Sequence, residues 1–281
     1  MRYLFHMRGF LLSFLLFLPL CAAPPQRVVS QTVGTDDLLL ALAAPGQVAA
    51  LSHLARDGRY SPIAKLAAGR PCLVRGDAED VLRFRPDLVL VASYTEAETQ
   101  ALLRRAKVPV LVLEHFETLE DLYRNARAIG AALGRPAQAE AVVAGWQARV
   151  RNLERRLAGV KPARVLAVGF YPFTAGRGTT FQDLCDHAGA INVAAEAGLQ
   201  GHVPTPNEKV LTWKVDQLVA PWEEGMDLKA RLGQVAPYKY MEAFRQGRIL
   251  AMPGSLMATT SQARLDGYEW LARALHPEAF R

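Results

Sequence analysis

Cysteine is scarce in this sequence, with three in 281 residues, one of them (Cys21) inside the N-terminal segment. The other two, Cys72 and Cys185, are too few and too far apart for a disulfide framework. They could pair in an oxidising compartment, but two free thiols are the simpler reading. Neither has the C-x-x-C spacing of a metal knot or a redox motif. Blocks of basic charge are also missing. The formal charge is +6, and loss of an N-terminal segment carrying Arg2 and Arg8 leaves 31 basic against 27 acidic residues, a surplus of +4. So small and scattered a surplus does not point to nucleic acid. Beyond residue 23 no run approaches the roughly 20 apolar residues that a membrane-spanning helix needs. The G-x-S-x-G, H-E-x-x-H and Ser-x-x-Lys signatures of hydrolases are absent as well.

What is present begins with MRYLFHMRGFLLSFLLFLPLCAA, residues 1–23. A positive start, an apolar run from Phe10 to Leu20 and small residues at the end predict a secretory signal peptide. Cleavage near Ala22 or Ala23 would export the chain. Lipid attachment at Cys21 is the lesser alternative, because Leu20 stands where a small residue is normally required. The whole chain is 51% hydrophobic and 21% charged, a globular composition, and its length suits two lobes.

RVVSQT (27–32) and QVAALS (47–52) read as strands, with a helix near 37–44 between them. DLVLVA (87–92) and VPVLVLE (108–114) are continuous apolar runs, the mark of strands buried on both faces, with helical spacing over 96–106. This alternation predicts a parallel α/β sheet. Thr118 with Asp121 predicts a capped helix running to Gly134. Pro136 opens the longest helical stretch, 136–158, with Val142, Val143, Trp146, Val150, Leu153 and Leu157 on one stripe. Strand patterns resume at 163–170 and 248–253. The expected organisation is a 24–135 lobe, a bridging helix over 136–159 and a 160–281 lobe. AEDVLRFRPDLVLVA (78–92) also aligns without gaps with NEKVLTWKVDQLVAP (207–221), which predicts a short helix feeding a strand in each lobe. In AGRGTT, Gly176 and Gly178 lack the Lys of a phosphate-binding loop and read as a turn before a helix capped by Thr180 with Asp183.

Taken together, the exported start, the RVVS strand, the Glu-x-x-Leu-x-x-x-Pro-Asp-Leu-Val pattern, the long helix and FTAGRGTTFQDLCDHAGAINVA (173–194) resemble one family. It is the periplasmic substrate-binding proteins of ABC importers, of the cobalamin and iron-siderophore type. The resemblance covers essentially the whole mature chain. It departs at Val215, where the family usually has Pro, and over 222–247. It implies an α/β fold of two lobes with central parallel sheets joined by a single long rigid helix, a class III periplasmic binding protein. It further implies a monomer that holds a bulky metal chelate between its lobes, with no cofactor or resident metal of its own. The expected partners are a membrane permease and its ATPase, docked through one Glu on each lobe, here Glu79 and Glu208.

Ligands of open α/β sheets sit beyond the carboxyl ends of the strands. That rule nominates Gln31, Thr32, Thr35, His53, Arg56, Ser93, Tyr94, His115 and Phe116 in the first lobe. In the second it nominates Tyr171, Phe173, Thr174, Arg177 and Ser255. Aromatics would supply apolar area for a macrocycle, and Arg could pair with anionic chelate oxygens. Two rival readings remain, a zinc or manganese carrier using His53, His115 and His202, and an exported hydrolase.

Overall fold

A computed structural model describes residues 23–281. The predicted signal peptide and Cys21 fall on or before residue 23 and so lie essentially outside the described residues. Two four-stranded parallel sheets dominate. The first contains β1 (Val28–Ser30), β2 (Val48–Ala50), β3 (Leu88–Ala92) and β4 (Val110–Leu113), in the order β2-β1-β3-β4. Next in the chain come β5 (Ala163–Ala167), β6 (Phe173–Ala175), β7 (Ala190–Asn192), β8 (His202–Pro204), β9 (Gln217–Trp222) and β10 (Ile249–Pro253). Four of these form the second sheet, β10-β9-β5-β7, while β6 and β8 pair antiparallel. Read from β7, the second order repeats the first, so β3 and β9 hold the same place in their sheets. The aligned segments 78–92 and 207–221 end on those two strands. They differ before them. The first opens with a helix, Ala78–Arg83, whereas the second makes only a 3-10 turn, Lys209–Thr212, after which Trp213 is already extended. The β-branched and aromatic residues Val210, Thr212 and Trp213 are poor helix formers, which accounts for the shorter element.

Alternation along the strands builds two faces per sheet. Val28, Leu88, Leu90 and Ala92 enter one core, and Val29, Val89 and Val91 enter another. In the second sheet Val165, Ala167 and Val219 join the first of these same cores, whereas Leu166, Leu218 and Ala220 face away into a third. One apolar core therefore runs unbroken from sheet to sheet.

The long helix, Pro136–Leu157, runs through that junction. Its 22 residues extend roughly 33 Å. Pro136 fits the first turn, where a missing N–H costs nothing. Val143, Val150 and Leu153 are buried, and Val142, Trp146 and Leu157 are half-buried around them. The preceding helix, Leu119–Ala132, starts with the expected Thr118–Asp121 capping box. A Cβ on Gly130 would meet that of Ala139 at 2.3 Å, so the two helices pack at a distance only Gly allows. The cap predicted at Thr180 belongs instead to Thr179, whose side chain accepts from the Gln182 N–H. Asp183 is thereby released for another partner.

Buried polar contacts join the lobes beneath the sheets' carboxyl ends. Asp183 accepts from the Leu119 N–H at 2.8 Å, from Arg264 at 3.1 Å, and from the Tyr268 hydroxyl. Arg264 also donates to the Phe116 carbonyl at 2.5 Å. Asp37, in the helix Val33–Leu42, accepts from Ser261 Oγ and Gln262 Nε2, both at 2.5 Å. At Gly34 a Cβ would lie 2.1 Å from Thr260 Oγ1, so the lobes touch there. Cys72 and Cys185 are free thiols. Among the described residues no helix is long and apolar enough to cross a membrane.

Candidate functional site

The carboxyl ends of β1, β2 and β3 surround a cavity of about 670 Å³ lined by Gln31, Thr32, His53, Arg75, Tyr94 and Glu96, among others. A second cavity, about 490 Å³, lies between the lobes, with Asp57, Gly58 and Arg59 on one side and Trp222–Glu224 and Pro253–Ser255 on the other. A third, about 220 Å³ and mainly apolar, sits over β5, β9 and β10 against Phe173, Thr174, Phe181, His202 and Met257. Gly254 borders the second and third cavities, and a Cβ there would stand 3.6 Å from the Arg59 carbonyl of the opposite lobe.

Backbone geometry shapes the first cavity. Gly76 has a φ of +82°, and a Cβ on it would press His53 Nδ1 at 2.9 Å. A larger residue fails there on both counts. Gln31 is clamped from two sides, donating to the Gly76 carbonyl at 3.0 Å and accepting from Thr95 Oγ1 at 2.7 Å. Asp80 anchors the Val74–Gly76 turn by accepting all three backbone N–H groups at 2.5, 2.8 and 3.2 Å. Burial opposes its ionisation, but those donors prevail and hold its carboxyl below the usual range. Tyr94 leans on Phe116 with ring centroids 5.6 Å apart.

The two arginines along these cavities are already engaged. Arg59 Nε lies 2.9 and 3.1 Å from the two Asp57 oxygens, which pulls the Asp57 carboxyl down to about 2. Arg75 Nε lies 2.8 Å from Asp77 Oδ2. Across the lobe boundary Glu223 adds its field to that acting on Arg59.

The structure gathers Gln31, Thr32, His53 and Tyr94 at the first cavity, Ser255 at the second, and Phe173 and Thr174 at the third. It separates the other candidates from these spaces. Thr35 is fully buried, its hydroxyl 2.7 Å from Ser30 Oγ and 2.9 Å from Thr32 Oγ1 within the helix cap, which closes it off from any cleft. Arg56 turns its guanidinium to the carbonyls of Ala67 and Arg70. Arg177 lines a different depression with Asp186 and Glu196. Phe116 is buried under Tyr94, Ser93 Oγ donates to the Glu114 carbonyl, and His115 and Tyr171 are exposed outside the three cavities. The residue pattern alone missed Arg59, Arg75, Trp222, Glu223 and Glu224. The last three directly follow or end β9, so the strand-end rule would have found them had it been applied where the resemblance departs, over 222–247. Among the described residues no cluster of three or more His, Cys, Asp or Glu side chains is arranged to hold a metal ion.

Two like-wound parallel sheets facing one cleft and tied by a single long helix define the class III periplasmic binding architecture. The family model for periplasmic binding proteins matches residues 28–256, and the chain belongs to that family. It is a substrate-binding protein of an ABC transporter. A curated relative, the uncharacterized ABC transporter substrate-binding lipoprotein YvrC of Bacillus subtilis (strain 168), is 22% identical over 214 residues, 73% of this chain and 67% of the relative. Among solved structures, a periplasmic heme-binding protein from Pseudomonas aeruginosa superposes with a TM-score of 0.76 at 25% identity, covering 90% of this chain and 93% of that one. Heme-binding RhuT from Roseiflexus sp. RS-1 gives 0.76 at 23%, covering 90% and 99%. Vitamin B12-binding BtuF of Vibrio cholerae gives 0.68 at 16%, covering 92% and 99%.

Proposed function

We propose that this chain captures one bulky metal chelate (a cobalamin, a haem or a ferric siderophore) between its lobes and hands it to a membrane permease and ATPase. The observation that carries this reading is the preformed space itself. A cavity of about 670 Å³ of mixed polar and apolar lining on one lobe and a mainly apolar one of about 220 Å³ on the other flank an interlobe cavity of about 490 Å³. Together these suit a ligand with polar edges and apolar faces. Similar folds that hold heme and vitamin B12 support the same class of ligand. On this reading Gln31, Thr32, His53, Tyr94, Phe173, Thr174 and Ser255 border the ligand, and Glu79 and Glu208 dock the permease. The protein retains its ligand and does not transform it. It acts as a monomer in the periplasm after loss of residues 1–23, with anchoring at Cys21 as the alternative.

Visible-absorption titration of the purified mature chain with cyanocobalamin, hemin and ferrichrome tests this directly. A saturable spectral shift with one of them, at one ligand per chain and with the ligand recovered intact, is the expected result. No uptake of any of the three, or steady conversion of the bound molecule, overturns the proposal.

A further inference from the structure

We infer that the cleft selects a chelate of net neutral or positive charge, with Glu96, Glu223 and Glu224 as the residues that set this preference. The inference rests on the chelate-binding reading above and refines it.

A chelate that carries carboxylates needs cations to receive them, because an ion moved from water into a cleft must regain its lost hydration from the protein. The lining of the three cavities contains no lysine, and its arginines are Arg59 and Arg75. Both are held by the aspartate two positions away, Arg59 by Asp57 and Arg75 by Asp77. These pairs are solvent-exposed and weak in themselves, but each arginine's charge is balanced by its aspartate on the same wall, so neither leaves a net positive charge. The two arginines that the strand-end rule had nominated offer no substitute. Arg56 is spent on backbone carbonyls and Arg177 faces another depression.

The carboxylates are placed differently. Glu96 borders the first cavity, and Glu223 and Glu224 border the interlobe cavity. None of the three forms an ion pair among the described residues. The unpaired charge on the cleft walls is therefore negative and comes from both lobes. This opposes the chain as a whole, which carries 31 basic against 27 acidic residues, a surplus of +4, once residues 1–23 are set aside. Non-specific adsorption to this protein would favour anions, whereas the cleft disfavours them. Like charges brought together in a partly desolvated space oppose binding, and opposite charges steer the ligand in.

Two probe pairs separate charge from shape. The first is hemin against its bis-amide with ethylenediamine, in which both propionates become amide arms ending in ammonium groups. The second is cyanocobalamin against a derivative with one side-chain amide hydrolysed to carboxylate. Within whichever macrocycle binds, the less anionic member should bind at least about tenfold tighter at low salt. High salt should narrow the gap, and so should the triple variant Glu96→Gln, Glu223→Gln, Glu224→Gln. The single variant Glu223→Gln should narrow it in part. Tighter binding of the anionic member, or an unchanged ratio in the triple variant, overturns this inference and leaves the chelate-binding reading intact. Absence of binding by all four probes and by ferrichrome overturns both.

Discussion

The Arg264 guanidinium meets the Asp183 carboxylate at 3.1 Å inside the protein, with the two side chains only 4% and 8% exposed. A buried ion pair earns its place through the further hydrogen bonds around it. Here those come from the Leu119 N–H and the Tyr268 hydroxyl to Asp183, and from Arg264 to the Phe116 carbonyl. Leu119 and Phe116 belong to one lobe and the other three residues to the second. The pair is thus a rivet between lobes.

Asp183→Ala should lower unfolding stability by about 3–5 kcal/mol, since it strands a buried guanidinium. Asp183→Asn keeps the size and an acceptor and should cost less. Urea denaturation of both variants checks this, and an Ala variant within about 1 kcal/mol of the parent would contradict the rivet.

Asp36 and Asp37 make stability depend on pH in an unusual direction. Burial raises both carboxyls to about 6, against hydrogen bonds from serine hydroxyls that favour ionisation. The folded chain therefore holds these protons more tightly than the unfolded chain does. Their contribution is complete below the ordinary value of 3.8 and is lost as pH rises through about 6. At most about 3 kcal/mol is at stake per group. Melting temperatures taken from pH 4 to 7 should fall more in the parent than in Asp37→Asn. Parallel curves would show that Asp37 is not the source.

Tyr94 and Tyr171 both looked like cleft aromatics, but they stand in different settings. Tyr94 is 62% exposed at the first cavity, whereas Tyr171, at 77%, borders none of the three. Tyr94→Ala should weaken chelate binding by about 1–3 kcal/mol and leave folding intact. Tyr171→Ala should change affinity far less, and equal losses would mean that Tyr171 reaches the ligand too.

Glu79 and Glu208 are exposed at the heads of the two aligned segments. If they dock the permease as proposed, replacing both with Gln should leave chelate affinity and melting temperature unchanged while reconstituted transport drops steeply. Loss of chelate binding would place them in the cleft instead.

With one core shared by both sheets and buried hydrogen bonds across the junction, ligand should not draw the lobes together. Solution scattering with and without saturating cyanocobalamin or hemin should nearly superpose. A marked fall in radius of gyration would require a hinge in the junction.

Much of the architecture was legible in the sequence because it is written in local signals. Continuous apolar runs marked β3 and β4, Thr118 with Asp121 marked a helix start, and Pro136 with its stripe marked the bridge. The cap at Thr179 was missed by one residue, since two adjacent threonines offer the same hydroxyl and only backbone angles choose between them. The rivet was illegible for a different reason. Asp183 and Arg264 lie 81 positions apart, and nothing local to either announces the other. Strand ends named several cavity-lining residues, yet they could not say which arginines were free. For Arg56 that depended on a carbonyl reached through the fold, at Arg70, whereas Arg59 meets Asp57 only two positions away and needed the local backbone turn to bring them together.

The shared core also orders events in time. Tyr268 and Leu271, on the helix Arg264–Leu275, fill the same apolar cluster as Val28 and Leu38, and Ser261 bonds Asp37 across 224 positions. The helices Val33–Leu42 and Leu119–Ala132 already cover the inner face of the first sheet, but the cluster they share is completed only by residues from the chain's far end. Such long-range closure slows folding. The last helix is therefore as much a part of the first lobe's core as of the second's, and removing it would leave an apolar opening in both.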